Sequence, residues 1–516
     1  MALRLDFECV EINQRFAVVV FGPGDPDSQR LLCRDQFRVP GGRFPFARDL
    51  RAETFPMKKL TEDRHSVLVS SIPVLTEIIT FQEVFQPRNP FQFHRGEVFY
   101  RNMAKIYPFR SLRYAPDKVP IDKVVTQPYD KISKEMQERY YAAHPNNIVR
   151  IILGKSDPSD SLDQNVYTRA AAYLKEWRAS GILQQLPEAS LFVYFQRFNV
   201  PDENELRVRK GFVALGELED YANKVVFPHE RTLTGPKKDR LELLRHTRTQ
   251  FEQIFMLYED PEQRIDHTLE EIARRTPDIR LKDEYGVEHS MWMVTDHERI
   301  RFIQAQMENK KLIIADGHHR YETALAYRDE MRGEKGSDRL PMTFFNTSSP
   351  GLTILPTHRV LANVPGFEPS AFLNRAGEFF YRTESSKAER ITVGVFLNDR
   401  MSFLQLRSSV DLRSLMPDLS EKQRTLDVVI LHRLLLEKCL GITEEAVKKE
   451  TYITYVRGRE AAISAVRAGT AQIAFLLNPT RLEKLRDIAF EVNVMPQKST
   501  DFYPKLLSGL TIYALE

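Results

Sequence analysis

The chain has 516 residues, 42% hydrophobic and 28% charged, with 74 Lys and Arg against 71 Asp and Glu. This is ordinary globular composition, long enough for two to four domains of roughly 100–200 residues. The near-neutral balance argues against wholesale binding of nucleic acid or a membrane surface, while leaving a local basic groove open. No apolar run approaches the roughly 18 residues of a membrane span. The start, MALRLDFECVEINQRF, carries acids where a signal peptide would need a basic region, and Cys9, Cys33 and Cys439 are spaced for neither disulfides nor zinc. These features predict a soluble, cytoplasmic protein.

Residues 1–102 stand apart, with 12 Arg but only 2 Lys, and show clear patterns only in short runs such as FAVVVFG and VLVSSIPVL. At Met103 the text changes to MAKIYPFRSLRYAP, which reads like a protein start, and Arg95-Gly96-Glu97-Val98 back-translates to a purine-rich string resembling a ribosome-binding site. The expectation is an atypical extension over 1–102, either translated leader from a mis-called start or a divergent N-terminal domain.

From Met103 the patterns alternate. SKEMQERYYAAHP (133–145) opens with a helix start signal, NIVRIILG (147–154) reads as a β-branched strand, and 166–183 has helical spacing. Segments 190–200 and 205–218 read as paired strands across Pro201, Asp202 and Asn204. A helix follows over 237–251, a strand over 253–260, then helix 297–309, strand 311–315, helix 317–333 and strand 340–346. The last third gives strands near 391–397, 451–456 and 471–477 and helices near 368–380, 423–438 and 480–489. This order predicts an α/β to α+β fold with mixed sheets and flanking helices. The expected parts are 103–360 and 361–516.

Four boxes carry the chemistry. ADGHHRYETA (315–324) sits where a buried strand meets a helix. Asp316 can cap that helix or hold Mg²⁺, Gly317 permits a tight turn, and Arg320 offers a fork suited to phosphate at the helix N-terminus. His318 and Glu322 lie one turn apart and can share a face. VVFPHERTLTGPKKDRLELL (225–244) places Glu230 beside His229, either able to accept a hydroxyl proton, ahead of Lys237, Lys238 and Arg240, whose charge at a helix start suits a nearby anion. MPQKSTDFYPK (495–505) sets Lys498 beside Ser499 and Thr500 like the end of a phosphate loop, without the glycines of an NTPase. GLTILPTHRVL (351–361) reads as a turn with an exposed His358-Arg359 pair.

From Met103 onward the chain resembles the prokaryotic family known as domain of unknown function 1015. The resemblance rests on YPFRSLRY (107–114), QPYDKIS (127–133), FPHERTLTGPKKDR (227–240), ADGHHRYETALAYRDE (315–330), LPTHR (355–359) and MPQKSTDFYPK. Asp501 departs from the family's usual aromatic, and Ser349-Pro350-Gly351 lacks the acidic residue expected before the glycine. More distantly, the DGHHR box is similar to the phosphate motif of the ParB–sulfiredoxin superfamily, which implies a ParB–sulfiredoxin-like element around it. That superfamily includes free-serine kinases that pair a Pro-His-Glu segment with a later Asp-Gly-His-His-Arg segment; here the two boxes lie much farther apart in sequence.

The resemblance implies phosphoryl transfer from ATP or ADP, with Mg²⁺, to a small hydroxylated metabolite such as free serine. Glu230 would be the base, with His229 and His318 beside it. Asp316 and Glu322 would hold metal. Gly317, His319, Arg320, Lys237, Lys238, Lys498, Ser499 and Thr500 would hold phosphate. The alternatives are a ParB-like nucleotide switch or nucleic-acid binder, and a phosphatase using the same anion site.

Overall fold

The computed structural model describes residues 104–515 except 204, 231–233 and 385–390, together with three N-terminal strands. The chain divides into two units, Met1–Glu97 and Val98–Glu516. In the first, Asp6–Ile12, Arg15–Phe21 and Gln29–Leu31 form an antiparallel sheet, so the FAVVVFG run is a strand as far as Phe21. The VLVSSIPVL run and the Met103 boundary lie outside the described residues.

The second unit is built on two sheets. In the larger, the strands are β1 (Ile106–Tyr107), β2 (Leu191–Asn199), β3 (Leu206–Glu217), β4 (Val226–Phe227), β5 (Ile254–Tyr258), β6 (Ile279–Lys282), β7 (Glu288–Val294), β8 (Leu312–Asp316) and β9 (Arg339–Asn346). Their order is β6-β7-β2-β3-β9-β5-β8-β4, with β1 added against β3. The sheet is mixed: β9–β5 and β8–β4 run parallel and the other pairs antiparallel. All five residues of β5, IFMLY, are buried, as expected of a strand covered on both faces. Alternation sends Ile254, Met256 and Tyr258 to one core and Phe255 and Leu257 to another.

The Ile254 face is covered by α4 (Arg264–Ile272), α5 (His297–Met307) and α6 (His318–Glu330), through Leu269, Ile303 and Tyr321. The Phe255 face packs against the chain's end, including Phe502 and Leu506. Before these come α1 (Lys134–Ala143), α2 (Val166–Ala179) and α3 (Thr234–Thr247). Ser133 caps α1 as its sequence predicts, and Asn165 caps α2.

The second sheet is wholly antiparallel. Its strands are β10 (Thr357–Leu361), β11 (Phe380–Thr383), β12 (Thr392–Leu397), β13 (Arg400–Leu406), β14 (Ile453–Arg457) and β15 (Ile473–Leu476), in the order β11-β13-β12-β15-β10-β14. It packs with α7 (Pro369–Phe379), α8 (Asp427–Cys439, wound as a π-helix from Leu431), α9 (Arg459–Arg467) and α10 (Leu482–Phe490).

Two expectations are corrected. Residues 147–154 form no strand; Val149–Ile152 is a helical turn. The Asn147 side chain accepts from the Val149 amide at 2.9 Å and donates to the Lys123 carbonyl at 2.7 Å, a local side-chain-to-backbone pairing that overrides β-branched propensity. His358 and Arg359 are not an exposed turn but lie on β10, 4% and 1% exposed. Among the described residues no helix is long and apolar enough to cross a membrane.

Candidate functional site

Parallel pairing of β4 with β8, Phe227 opposite Ile313, delivers two distant boxes to one sheet end. His229 and Glu230 leave β4 where Asp316 and Gly317 leave β8, and ligands in sheets of this kind gather beyond the carboxyl ends of parallel strands. The His229 amide donates to His318 Nε2 at 3.3 Å, and the two rings pack edge to face with centroids 4.7 Å apart.

The third box enters from the chain's end. Thr353–Leu355 pairs with Asp501–Tyr503, and the wholly buried Arg209 donates to the Tyr503 carbonyl at 3.1 Å and also to that of Pro504. Arg209 itself is flanked by the Phe255 and Phe345 rings. So held, Thr500 meets His229 and Glu230. The Thr500 amide and hydroxyl lie 3.2 and 3.0 Å from Glu230 Oε1, and the hydroxyl lies 2.7 Å from His229 Nε2.

These contacts fix the proton inventory. The Ile314 carbonyl can only accept, so His229 Nδ1 carries the hydrogen of their 2.5 Å bond. Burial lowers the pKa of His229, leaving Nε2 as a lone pair facing Thr500. The single hydroxyl proton of Thr500 is thus shared between two acceptors, His229 Nε2 and Glu230. Burial, reinforced by His229, holds His318 well below its usual range, so it too is neutral and accepts.

Beside this lies a compact charge cluster. Lys505 Nζ is 3.0 Å from Asp316 Oδ1 and 3.2 Å from Asp501 Oδ1, and Arg320 Nη2 is 3.0 Å from Asp316 Oδ2. Arg320 Nη1 donates to the Gln253 carbonyl at 2.7 Å, and Arg457 pairs with Asp501 at 2.6 Å. Burial alone would raise the Asp316 carboxyl, but Lys505, Arg320 and Lys131 hold it far below the carboxylate range. Burial likewise works against the Lys505 ammonium, yet Asp316 and Asp501 keep it charged.

Several expected roles are therefore corrected. Asp316 does not cap α6; Gly317, in the left-handed region at φ 95°, is the N-cap, and no side chain caps this end. Arg320 spends its fork on Asp316 and Gln253. The expected magnesium pair is not assembled: both Asp316 oxygens face cations, while Glu322 pairs with Lys237 and shares no ligand site with Asp316 or His318. Among the described residues no three His, Cys, Asp or Glu side chains converge as a metal site. The present donors fit a resident Lys505 ammonium rather than a protein-held Mg²⁺.

The remaining residues divide. His319, half-buried, lies near Lys237, Glu322 and Lys498. Lys498 is exposed at φ 57° on the loop beside Thr500, close enough to lower Lys131. Lys238 is exposed, and Arg240 pairs with Asp239 over the Tyr129 ring. Ser499 turns its hydroxyl to the Pro496 carbonyl, serving the loop. Sequence reading assigned no role to Lys505, Asp501, Lys131 or Arg209. The signal for Lys505 was present in YPK, the second lysine of the third box.

The chain belongs to the family described as protein of unknown function DUF1015, whose model matches residues 106–429. No curated protein matches it in sequence. Among solved structures it is similar to a conserved hypothetical protein from Pyrococcus furiosus, at 13% identity over 56% of this chain and 90% of that one, TM-score 0.29. It is also similar to a free serine kinase in complex with AMP, at 13% identity over 59% and 91%, TM-score 0.31. A third similar structure is SbnI with C-terminal truncation from Staphylococcus aureus, at 11% identity over 57% and 85%, TM-score 0.30.

Proposed function

We propose that this site transfers a phosphoryl group from ATP or ADP to the hydroxyl of a small metabolite, with free serine as the leading acceptor. The observation that carries the reading is Glu230. Its carboxylate is 17% exposed, fixed on one oxygen by the Thr500 amide and hydroxyl, and set at the strand end where α6 begins. A carboxylate so oriented suits a general base.

In the proposed step the acceptor oxygen attacks the terminal phosphorus and its proton passes to Glu230. The bond from that phosphorus to the bridging oxygen breaks, and the nucleotide leaves one phosphate shorter. Such transfer depends on positioning and charge neutralisation. The amides of Gly317, His318 and His319 open α6 and would receive phosphate oxygens. Lys498, Lys131 and Lys237 would balance the remaining charge, while Lys505 and Arg320 hold Asp316 and the turn in place. No step is assigned to a protein-held metal.

The test uses the full chain with the magnesium salts of ATP or ADP and a panel of hydroxy amino acids. Phosphorylated product is expected, and Glu230→Gln should lose about 10²–10⁴-fold in turnover while keeping its nucleotide-induced thermal shift. Phosphate release without an acceptor would identify the hydrolytic direction instead. No turnover with any pair, together with no nucleotide-induced shift, overturns the reading.

A further inference from the structure

A pocket of about 320 Å³ opens beside the loop that carries Lys498 and Ser499. Its wall includes Arg359 from β10, Arg481 and Lys484 at the start of α10, Asn478, Thr480 and Asp427. Arg359 is 1% exposed and, among the described residues, has no carboxylate within ion-pair distance, Glu230 acting on it only from farther off. Two of its nitrogens donate to carbonyls, Nη1 to Thr357 and Nη2 to Lys498 at 2.9 Å, and its Nε has no hydrogen-bond partner. Burial lowers its pKa only to about 10, so it remains a cation at neutral pH. A buried guanidinium without a counter-charge is costly, and in native structures such a group ordinarily has a partner.

The surroundings match that partner's charge. Asp427 is the one acid in the wall, bonded to Asn478 and faced by Lys484, against the three cations Arg359, Arg481 and Lys484. No side chain caps α10, whose first-turn amides add positive potential. The Lys484 ammonium donates to the Thr425 carbonyl at 2.8 Å. We infer that this pocket binds the oxyanion group, phosphate or carboxylate, of a small metabolite, at a subsite separate from Glu230. Its volume is at the small end for metabolite pockets. The separation is short: Lys498 O meets Arg359 and Thr500 meets Glu230, two residues apart, roughly 7 Å of extended chain.

Calorimetric titration with inorganic phosphate, and separately with malonate, tests this at ionic strength matched with chloride. Binding with a Kd of about 1 mM or tighter is expected for at least one probe, and whichever binds more tightly identifies the oxyanion. The rim double variant Arg481→Ala/Lys484→Ala, folded by its melting curve, should bind that probe at least tenfold more weakly. Arg359→Lys, which keeps the charge but loses the fork, should also weaken it. No binding of either probe to the wild type, or equal binding by the rim variant, overturns the inference. Anion binding here is read on the rim variant and phosphoryl transfer on Glu230→Gln, so the two proposals fail separately.

Discussion

The DGHHR turn and the Arg359 pocket both bury charge, and they handle it in opposite ways. Around Asp316 the carboxylates find their complements within the chain: Lys505 between Asp316 and Asp501, Arg320 on Asp316, Arg457 on Asp501. At Arg359 the guanidinium meets two carbonyl oxygens and the Tyr455 ring, with no carboxylate in ion-pair reach among the described residues. The difference separates a scaffold from a receptor. A self-neutralised cluster orients neighbouring groups, whereas a cationic wall with one acid is completed by something from outside. A motif rich in charge is therefore not by itself the place where a ligand's charge is met.

The largest effect should come from removing the cluster's central cation. Lys505→Met leaves two buried carboxylates with only arginine partners, and a loss of about 3–5 kcal/mol is expected from urea denaturation. A loss below about 1 kcal/mol would mean that the cluster is not self-neutralising, and the contrast with Arg359 would collapse.

Asp316→Asn sharpens the same point. A helix cap tolerates Asn about as well as Asp, so a capping role predicts little change. Because Asp316 instead sits between Lys505 and Arg320, about 2–3 kcal/mol should be lost, as for removal of one member of a charged hydrogen-bonded pair. A wild-type urea midpoint would restore the capping role.

Acid should act through the histidines between the two regions. His229 and His318 have folded pKa values lowered by burial. The unfolded chain therefore takes up protons below about pH 6.5 that the folded chain refuses, and stability falls as pH falls. Between about pH 7.5 and 6.0 the pair should account for roughly 1–2 kcal/mol, read as the difference in that pH slope between wild type and His229→Gln/His318→Gln. An unchanged slope would show that neither is held neutral by the fold.

The smallest effect belongs to the open side. Arg481→Ala/Lys484→Ala removes rim cations that make no buried ion pair, so without an added anion its stability should stay within about 0.5 kcal/mol of wild type. A larger loss by thermal denaturation would make the rim structural, as the Asp316 cluster is.

The sequence by itself determined the strong periodic elements and the identity of the boxes. A start signal marked α1, helical spacing marked α2, turn residues marked the β2–β3 pair, and 253–260 read as a strand; each signal is local. The helical turn at Val149–Ile152 escaped because one side-chain bond from Asn147 favours it, not a pattern. Only the tertiary structure decided what the charges do. Parallel pairing of β4 with β8 joined boxes about ninety residues apart. The return of the chain's end put Thr500 on Glu230 and Lys505 on Asp316. Sequence states which groups can ionise, but whether a cation meets a carboxylate, a carbonyl or an empty pocket depends on contacts across hundreds of residues, and electrostatic energy falls off too steeply for spacing along the chain to reveal them.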